Sequence, residues 1–165
     1  MRLLTIALVG LSVISPHSPA SATARASCAA TPLVRDTAPP DPGADPGGPA
    51  DWYINADRSM WAGPVPDGGW PARGTVYSGS KRVEGQKTYW VRPQGKTLVI
   101  AGHRVDGAAA PLKADIPCCY TGNVQIVALD FPTEGCWQVS ASAGDRSLTF
   151  VTEVKAVSAL ARRYR

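Results

Sequence analysis

Short β-rich segments separated by glycine and proline are the feature that most constrains the fold of this chain. The 165 residues include 16 glycines and 15 prolines, and no long 3.6-residue periodicity of apolar residues is present. Proline lacks an amide donor and glycine costs backbone entropy, so elements between them stay short. The candidate strands cover residues 52–55, 58–61, 75–78, 87–92, 97–103, 123–130, 136–141 and 147–154. Seven or eight short strands at roughly ten-residue spacing predict an all-β fold, a sandwich or a barrel.

The last two candidate strands show the clearest alternation of apolar and polar residues. Residues 142–146 contain a glycine and supply a hairpin loop between them. Because successive side chains of a strand point to opposite faces, one face of this hairpin is expected to be buried. The apolar positions on that face are Trp137, Val139, Ala141, Leu148, Phe150 and Val154.

The N-terminus has the pattern of a secretory signal peptide. Arg2 precedes a mainly apolar run over residues 3–14, which is too short for a membrane span of roughly 20 residues. Small residues around Ala22 and Ala24 fit the rule for cleavage after either. We therefore predict a signal peptide over residues 1–24 and a mature chain that is secreted, periplasmic or held in the cell envelope.

The basic balance of the chain is concentrated at its C-terminus. Lys155, Arg162, Arg163 and Arg165 lie within the last eleven residues, and the remainder of the mature chain is close to neutral. The high isoelectric point is thus a property of the tail, and the composition does not indicate a nucleic-acid surface. No second stretch of the sequence is apolar enough to span a bilayer. We expect the mature protein to be a monomer.

A change in composition divides the mature chain. Residues 32–50 are dominated by proline, glycine, alanine and aspartate, so we expect an extended linker that builds no strand ladder. The predicted organisation is a Cys-containing arm and linker over residues 25–51, a β-sandwich domain over residues 52–155 and a basic tail over residues 156–165.

Four cysteines in an exported chain favour disulfides over a metal site. Cys136 precedes the core-facing Trp137 and should point to the opposite face, so we favour a disulfide there that tethers the Cys28 arm. Cys118 and Cys119 would then pair with each other or stay reduced. The competing arrangements join Cys136 to Cys118 or Cys119, because connectivity does not follow from spacing.

Tryptophans supply the candidate ligand contacts. Trp90 and Trp137 lie inside candidate strands, where a core role is the default. Trp61 and Trp70 flank a proline- and glycine-rich loop that should bury little, and exposed indoles form stacking platforms for sugars. Trp61 and Trp70 are therefore the predicted ligand-binding residues.

His103 is the single histidine of the predicted mature chain, and Asp106 follows it closely. Nucleophilic catalysis needs a base within hydrogen-bond reach of serine or cysteine, and no recognisable nucleophile motif accompanies this histidine. We predict no catalytic residue, no metal site and no cofactor.

Two stretches also carry a family resemblance. The chain resembles small exported bacterial proteins of unknown function in the hairpin "FPTEGCW" with the following "SLTFVTEV". The resemblance extends to "TYWVRPQGKTLVIAGHRVDG" over Thr88–Gly107 and to Cys28 near the mature N-terminus. The resemblance implies an immunoglobulin-like antiparallel β-sandwich and no catalytic residues. The adjacent Cys118 and Cys119 depart from that pattern.

Three functions from different classes are compatible with these features. The first is a non-catalytic exported sandwich that binds or supports an envelope component. The second is a glycan- or cell-wall-binding module that uses Trp61 and Trp70. The third is a small hydrolase, or a thiol or metal protein, that uses His103 and the cysteines.

Overall fold

The computed structural model describes residues 28–41, 46–66, 69–73, 75–78 and 81–156. The predicted leader and residues 157–165 of the tail lie outside this part of the chain. All regular structure in the described ranges is β, and no helix occurs in them. The strands are β1 (Val34–Asp36), β2 (Ala50–Ile54), β3 (Trp61–Gly63), β4 (Trp70–Pro71), β5 (Thr75–Ser78), β6 (Lys81–Glu84), β7 (Gln86–Val91), β8 (Leu98–Arg104), β9 (Lys113–Asp115), β10 (Val124–Asp130), β11 (Gly135–Ala143) and β12 (Arg146–Lys155).

The strands form two main sheets and one separate hairpin. The first sheet has the order β1-β2-β3-β7-β10-β9, the second has the order β4-β12-β11-β8, and β5 pairs with β6. All the pairs are antiparallel except that of β4 with β12. This arrangement confirms the predicted all-β class and is consistent with a β-sandwich. The immunoglobulin-like type stays a prediction.

The main hydrophobic core lies between the two sheets. Tyr53 of β2 stacks on Phe150 of β12 with ring centroids 3.9 Å apart, so aromatic rings from both sheets meet there. Offset or edge-on contacts between aromatic rings add to the hydrophobic gain of burying them. The other large buried side chains of this core include Met60, Trp70, Trp90, Leu129, Phe131, Trp137, Val139 and Val154.

A second apolar cluster covers the opposite face of the six-stranded sheet. Because side chains alternate along a strand, Trp52 of β2 points away from its neighbour Tyr53 and packs edge-on against Trp61 of β3. Val91, Val124 and Ala38 complete this cluster. The sheet is therefore buried on both faces in this region.

The N-terminal arm is part of the fold. Strand β1 pairs with β2 in antiparallel register, and the indole nitrogen of Trp52 donates to the carbonyl oxygen of Asp36 at 3.1 Å. Thr31 exchanges two hydrogen bonds with Val151 of β12. The prediction that residues 32–50 build no strand ladder is thus wrong at Val34–Asp36 and at Ala50, because Asp36 and Ala50 are partners in the β1–β2 ladder.

The opposite side of the sandwich is closed by the connection between β8 and β9. The backbone amide of Leu112 donates to the carbonyl oxygen of Gly102 at 3.0 Å, and Leu112 is buried. The loop thus lies against the edge of β8, opposite the side that the arm occupies.

Candidate functional site

An open groove of about 1130 Å³ lies where three connecting segments meet. The arm contributes residues 39–41, the segment at the end of β7 contributes residues 91–94, and the loop before β10 contributes residues 119–123. Side chains of two further turns complete the walls: Arg58, Ser59 and Arg146. The groove thus joins parts of the chain that are far apart in sequence.

Asp41 anchors the arm in the floor of the groove. Its Oδ2 atom accepts hydrogen bonds from the backbone amides of Asn123 at 2.6 Å and Val124 at 3.0 Å. The carboxylate lies so close to Gly122 that a Cβ added there would be 2.1 Å from Oδ2. Glycine at position 122 is therefore required for this contact.

Arg92 continues the floor below Asp41. Its side chain is almost fully buried, its Nε atom donates to Oε1 of Gln125 at 2.8 Å, and its Nη2 atom donates to the carbonyl oxygen of Tyr120 at 2.9 Å. Burial lowers the pKa of Arg92, and the negative charge of Asp41 opposes that effect. Arginine stays protonated under such conditions, so the floor contains a permanent positive charge.

Gln125 extends the network to the far side of the same loop. Its Nε2 atom donates to the carbonyl oxygen of Pro117 at 2.7 Å. Arg92 and Gln125 together hold the carbonyl groups of Tyr120 and Pro117, which flank the two adjacent cysteines. Buried polar groups whose hydrogen bonds are all made specify one conformation, so the floor fixes the loop at both ends.

Two ion pairs stand at the rim. Arg58 is paired with Asp36, and its guanidinium lies 4.8 Å from the ring centroid of Trp61. Arg146 donates to Asp57 at 2.6 Å. The hydrogen bond from Arg58 is the main cause that lowers the pKa of Asp36. Both arginine side chains remain about half exposed, and Nε of Arg146 also lies 3.6 Å from a carboxylate oxygen of Asp145.

Asp57 is held by its own turn as well as by Arg146. The hydroxyl of Ser59 donates to Oδ1 of Asp57 at 2.6 Å, and the backbone amide of Ser59 donates to the same oxygen at 3.1 Å. The hydroxyl bond is the largest cause that lowers the pKa of this carboxyl, ahead of the charge of Arg146. The turn therefore positions the carboxylate that in turn positions Arg146.

The four cysteines form two pairs in the structure. Cys28 is joined to Cys136 with 5.5 Å between their Cα atoms, which is the pairing favoured from the sequence. Cys118 is joined to Cys119 in the loop between β9 and β10. Cys136 is buried beneath the arm, whereas Cys118 and Cys119 are exposed, and Cys119 lines the groove.

Trp61 and Trp70 do not form an exposed platform. Trp70 has no exposed surface and Trp61 is 3% exposed. Trp61 packs in the cluster under the arm, and Trp70 pairs with Val154 as part of β4 and stacks on Phe131. The expectation that their loop buries little is wrong, because the parallel pairing with β12 draws it onto the core. Neither indole is accessible to a ligand in this conformation.

His103 and Asp106 do not form a pair. The Asp106 carboxylate accepts a hydrogen bond from Nε of Arg104 at 2.6 Å, and that bond is the main cause that lowers the pKa of Asp106. His103 is exposed on β8, where its register partner is Gln138 of β11. The structure thus gives His103 no orienting carboxylate at position 106.

The described ranges contain neither a cluster of metal-ligating residues nor a membrane-spanning helix. In them, no group of three or more histidine, cysteine or acidic residues is placed to hold a metal ion. None of the described segments is a helix long and apolar enough to cross a membrane.

The residues that build the groove floor were not found from the sequence. Asp41 lies in the predicted linker, and Arg92 ends the candidate strand over residues 87–92, so nothing in the sequence singles them out. A useful signal was available only for the adjacent cysteines, because their spacing is rare and they stand in a turn. The chain matches no protein-family model, no curated protein and no solved structure.

Proposed function

We propose that this protein is an exported, non-catalytic β-sandwich domain that binds a component of the cell envelope through the groove. The observation that carries the proposal is the preformed floor of Asp41 and Arg92, the latter held by Gln125, at an open groove. A site whose base is already hydrogen-bonded loses little conformational entropy when a ligand binds. Export rests on the leader pattern of residues 1–24.

The rim indicates the chemistry of the ligand. Arg58 and Arg146 each carry five N–H donors, and their aspartate partners use only part of them. Pro39, Pro40 and Pro93 give the walls an apolar, stiff character. These features suit an extended segment that carries carboxylate groups, since guanidinium groups bind carboxylates with paired hydrogen bonds.

The non-catalytic part of the proposal is supported by the position of the candidate catalytic residue. His103 lies on β8 and is not among the residues that line the groove. Asp106 is bound to Arg104. A small hydrolase or thiol enzyme centred on His103 therefore gains no support from this geometry.

The test compares binding of the full secreted chain with that of two matched arginine variants. Arg146→Ala removes a guanidinium from the groove, and Arg35→Ala removes one from an exposed pair with Asp51 outside it. The two probes are solubilised envelope proteins and insoluble peptidoglycan, each measured by co-sedimentation or pull-down.

We expect Arg146→Ala to weaken binding to the protein fraction at least fivefold and Arg35→Ala to leave it unchanged. His103→Ala should also leave it unchanged. Equal binding by the wild type and Arg146→Ala would contradict the assignment of the groove. Binding to peptidoglycan alone would instead favour the glycan-binding function, with contacts other than the buried Trp61 and Trp70.

A further inference from the structure

We propose that the bond between Cys118 and Cys119 is a thiol–disulfide exchange site whose reduction changes the shape of the groove wall. The inference concerns the same groove as the proposed function and rests on that function only for its biological meaning. The pair stands in the connection between β9 and β10, where both residues are exposed. An attacking thiolate can therefore reach a sulfur atom from solvent.

The bond is placed to control local shape more than global stability. A disulfide stabilises a protein mainly by closing a long loop of the unfolded chain, and this bond joins neighbouring residues. Cys28–Cys136, by contrast, spans 108 residues, and Cys136 is buried. The two bonds thus differ both in what they hold and in how far a reductant can reach them.

The pair connects two anchored points. Gln125 holds the carbonyl of Pro117 on one side of it, and Arg92 holds the carbonyl of Tyr120 on the other. Cys119 has φ of 75°, in the left-handed region that non-glycine residues rarely adopt. Breaking the Cys118–Cys119 bond removes the covalent constraint on that backbone. The resulting conformational change must occur in the few residues between Pro117 and Tyr120, whose carbonyl groups are held.

Those residues form a wall of the groove. Cys119 and Tyr120 line both the groove and a smaller adjoining cavity of about 340 Å³, and Cys118 lines the smaller cavity only. Relaxation of Cys119 toward a negative φ therefore alters the partition between the two spaces. Asp41 in the floor accepts hydrogen bonds from Asn123 and Val124, which follow Cys119 by only a few residues.

A dithiol partner supplies the reductant for the exchange reaction at Cys118–Cys119. A thiolate of the partner attacks Sγ of Cys118 or Cys119, the sulfur–sulfur bond breaks, and the other cysteine leaves as a thiolate. The second thiol of the partner then attacks the mixed disulfide and releases the first cysteine as a thiolate. Two electrons pass from the dithiol to the protein, the two cysteine thiolates take up the two protons that the partner's thiols lose, and the partner ends as a disulfide.

The first test measures the reduction rate at each pair. The full secreted chain is incubated with dithiothreitol under native conditions, trapped with N-ethylmaleimide at intervals and mapped by peptide mass spectrometry. We expect Cys118 and Cys119 to be modified at least tenfold faster than Cys28 and Cys136. Equal rates, or full modification of Cys118 and Cys119 without reductant, would overturn the proposal.

The second test measures the consequence by amide hydrogen exchange on the selectively reduced chain. Exchange should accelerate at least threefold within residues 117–123 and stay unchanged in the β11–β12 hairpin. The double variant Cys118→Ser with Cys119→Ser should show the accelerated exchange and no further response to dithiothreitol. Unchanged exchange in residues 117–123 after reduction would contradict the link to the groove wall. Neither assay contains a groove ligand, so a failed binding experiment and a failed exchange experiment remain distinguishable.

Discussion

Thr31 hydrogen-bonds Val151 in both directions across the side of the sandwich. The backbone amide of Thr31 donates to the carbonyl oxygen of Val151 at 2.8 Å, and the hydroxyl of Thr31 accepts from the amide of Val151 at 2.9 Å. One residue of the arm thus satisfies both backbone groups of a residue in β12. The arm is docked by directed bonds as well as by the disulfide at Cys28.

Thr31→Val should therefore lower the free energy of unfolding by about 1 kcal/mol, because it removes the acceptor for a partly buried amide. Thr149→Val is the control, since the hydroxyl of Thr149 donates to Ser140 on an exposed face where water can replace it. Urea unfolding monitored by tryptophan fluorescence measures both. Equal effects of the two substitutions would show that the Thr31 hydroxyl does not hold the arm.

The two disulfides should differ in their contribution to stability. Cys28→Ser with Cys136→Ser opens a loop with a sequence separation of 108, for which the chain-entropy estimate is roughly 4–5 kcal/mol. Cys118→Ser with Cys119→Ser should change the free energy of unfolding far less, because no loop of the unfolded chain is released. Chemical denaturation of both double variants under non-reducing conditions decides between them, and a reversed order would refute the prediction.

Truncation should destabilise the fold at each of four buried tryptophans. Trp61, Trp70, Trp90 and Trp137 are each at most 3% exposed, and truncating a large buried aromatic costs roughly 3–5 kcal/mol. Trp61→Ala and Trp70→Ala should therefore lower the melting temperature about as much as Trp90→Ala and Trp137→Ala. A small loss at Trp61 or Trp70 would mean that its loop is exposed in solution.

The pKa of Asp57 should depend more on its own turn than on Arg146. The Ser59 hydroxyl is the main cause that lowers this pKa, so Ser59→Ala should raise it more than Arg146→Ala does, and Ser142→Ala should leave it unchanged. The folded pKa lies below the ordinary value of 3.8, so the stabilisation is complete above that value and is lost as pH falls through the folded pKa. Carboxyl NMR titration measures each value, and a larger rise in Arg146→Ala would reverse the assignment.

Gly122→Ala should disrupt the floor of the groove. The new methyl group would lie 2.1 Å from Oδ2 of Asp41, so the carboxylate must leave the amides of Asn123 and Val124. Unpaired buried polar groups cost about 1–3 kcal/mol, and urea unfolding should show a loss of that size. Gly48→Ala is the matched control because nothing lies within 4 Å of its added Cβ. Similar losses in both variants would argue against a special contact at Gly122.

The parts of the fold that depend on local pattern were predictable from the sequence. The β11–β12 hairpin follows from alternation around Trp137 and Phe150, and its turn uses Gly144 with φ of 65°. The predicted strand over residues 58–61 is instead a turn, with β3 beginning at Trp61. Asn55 bonds the amide of Met60 there, and Arg58 has a positive φ.

The parts that depend on distant contacts were not predictable. Trp70 looks like a loop residue until its pairing with Val154 is known, and β1, β4, β6 and β9 are each four residues or shorter. The groove floor joins Asp41 to Asn123 across 82 positions. No local periodicity encodes such a contact, so the candidate site emerged only from the fold.

The position of the arm also determines when it can dock during synthesis of the chain. A ribosome makes Cys28 and Thr31 long before their partners, since Val151 follows Thr31 by 120 positions. The first described residues must therefore wait until nearly the last strand has emerged before they can dock. Contacts between residues so far apart in sequence slow folding, because the entropy of closing the intervening loop is lost before the contact forms. The covalent bond to Cys136 thus requires synthesis as far as β11, and a product truncated before position 136 cannot form it.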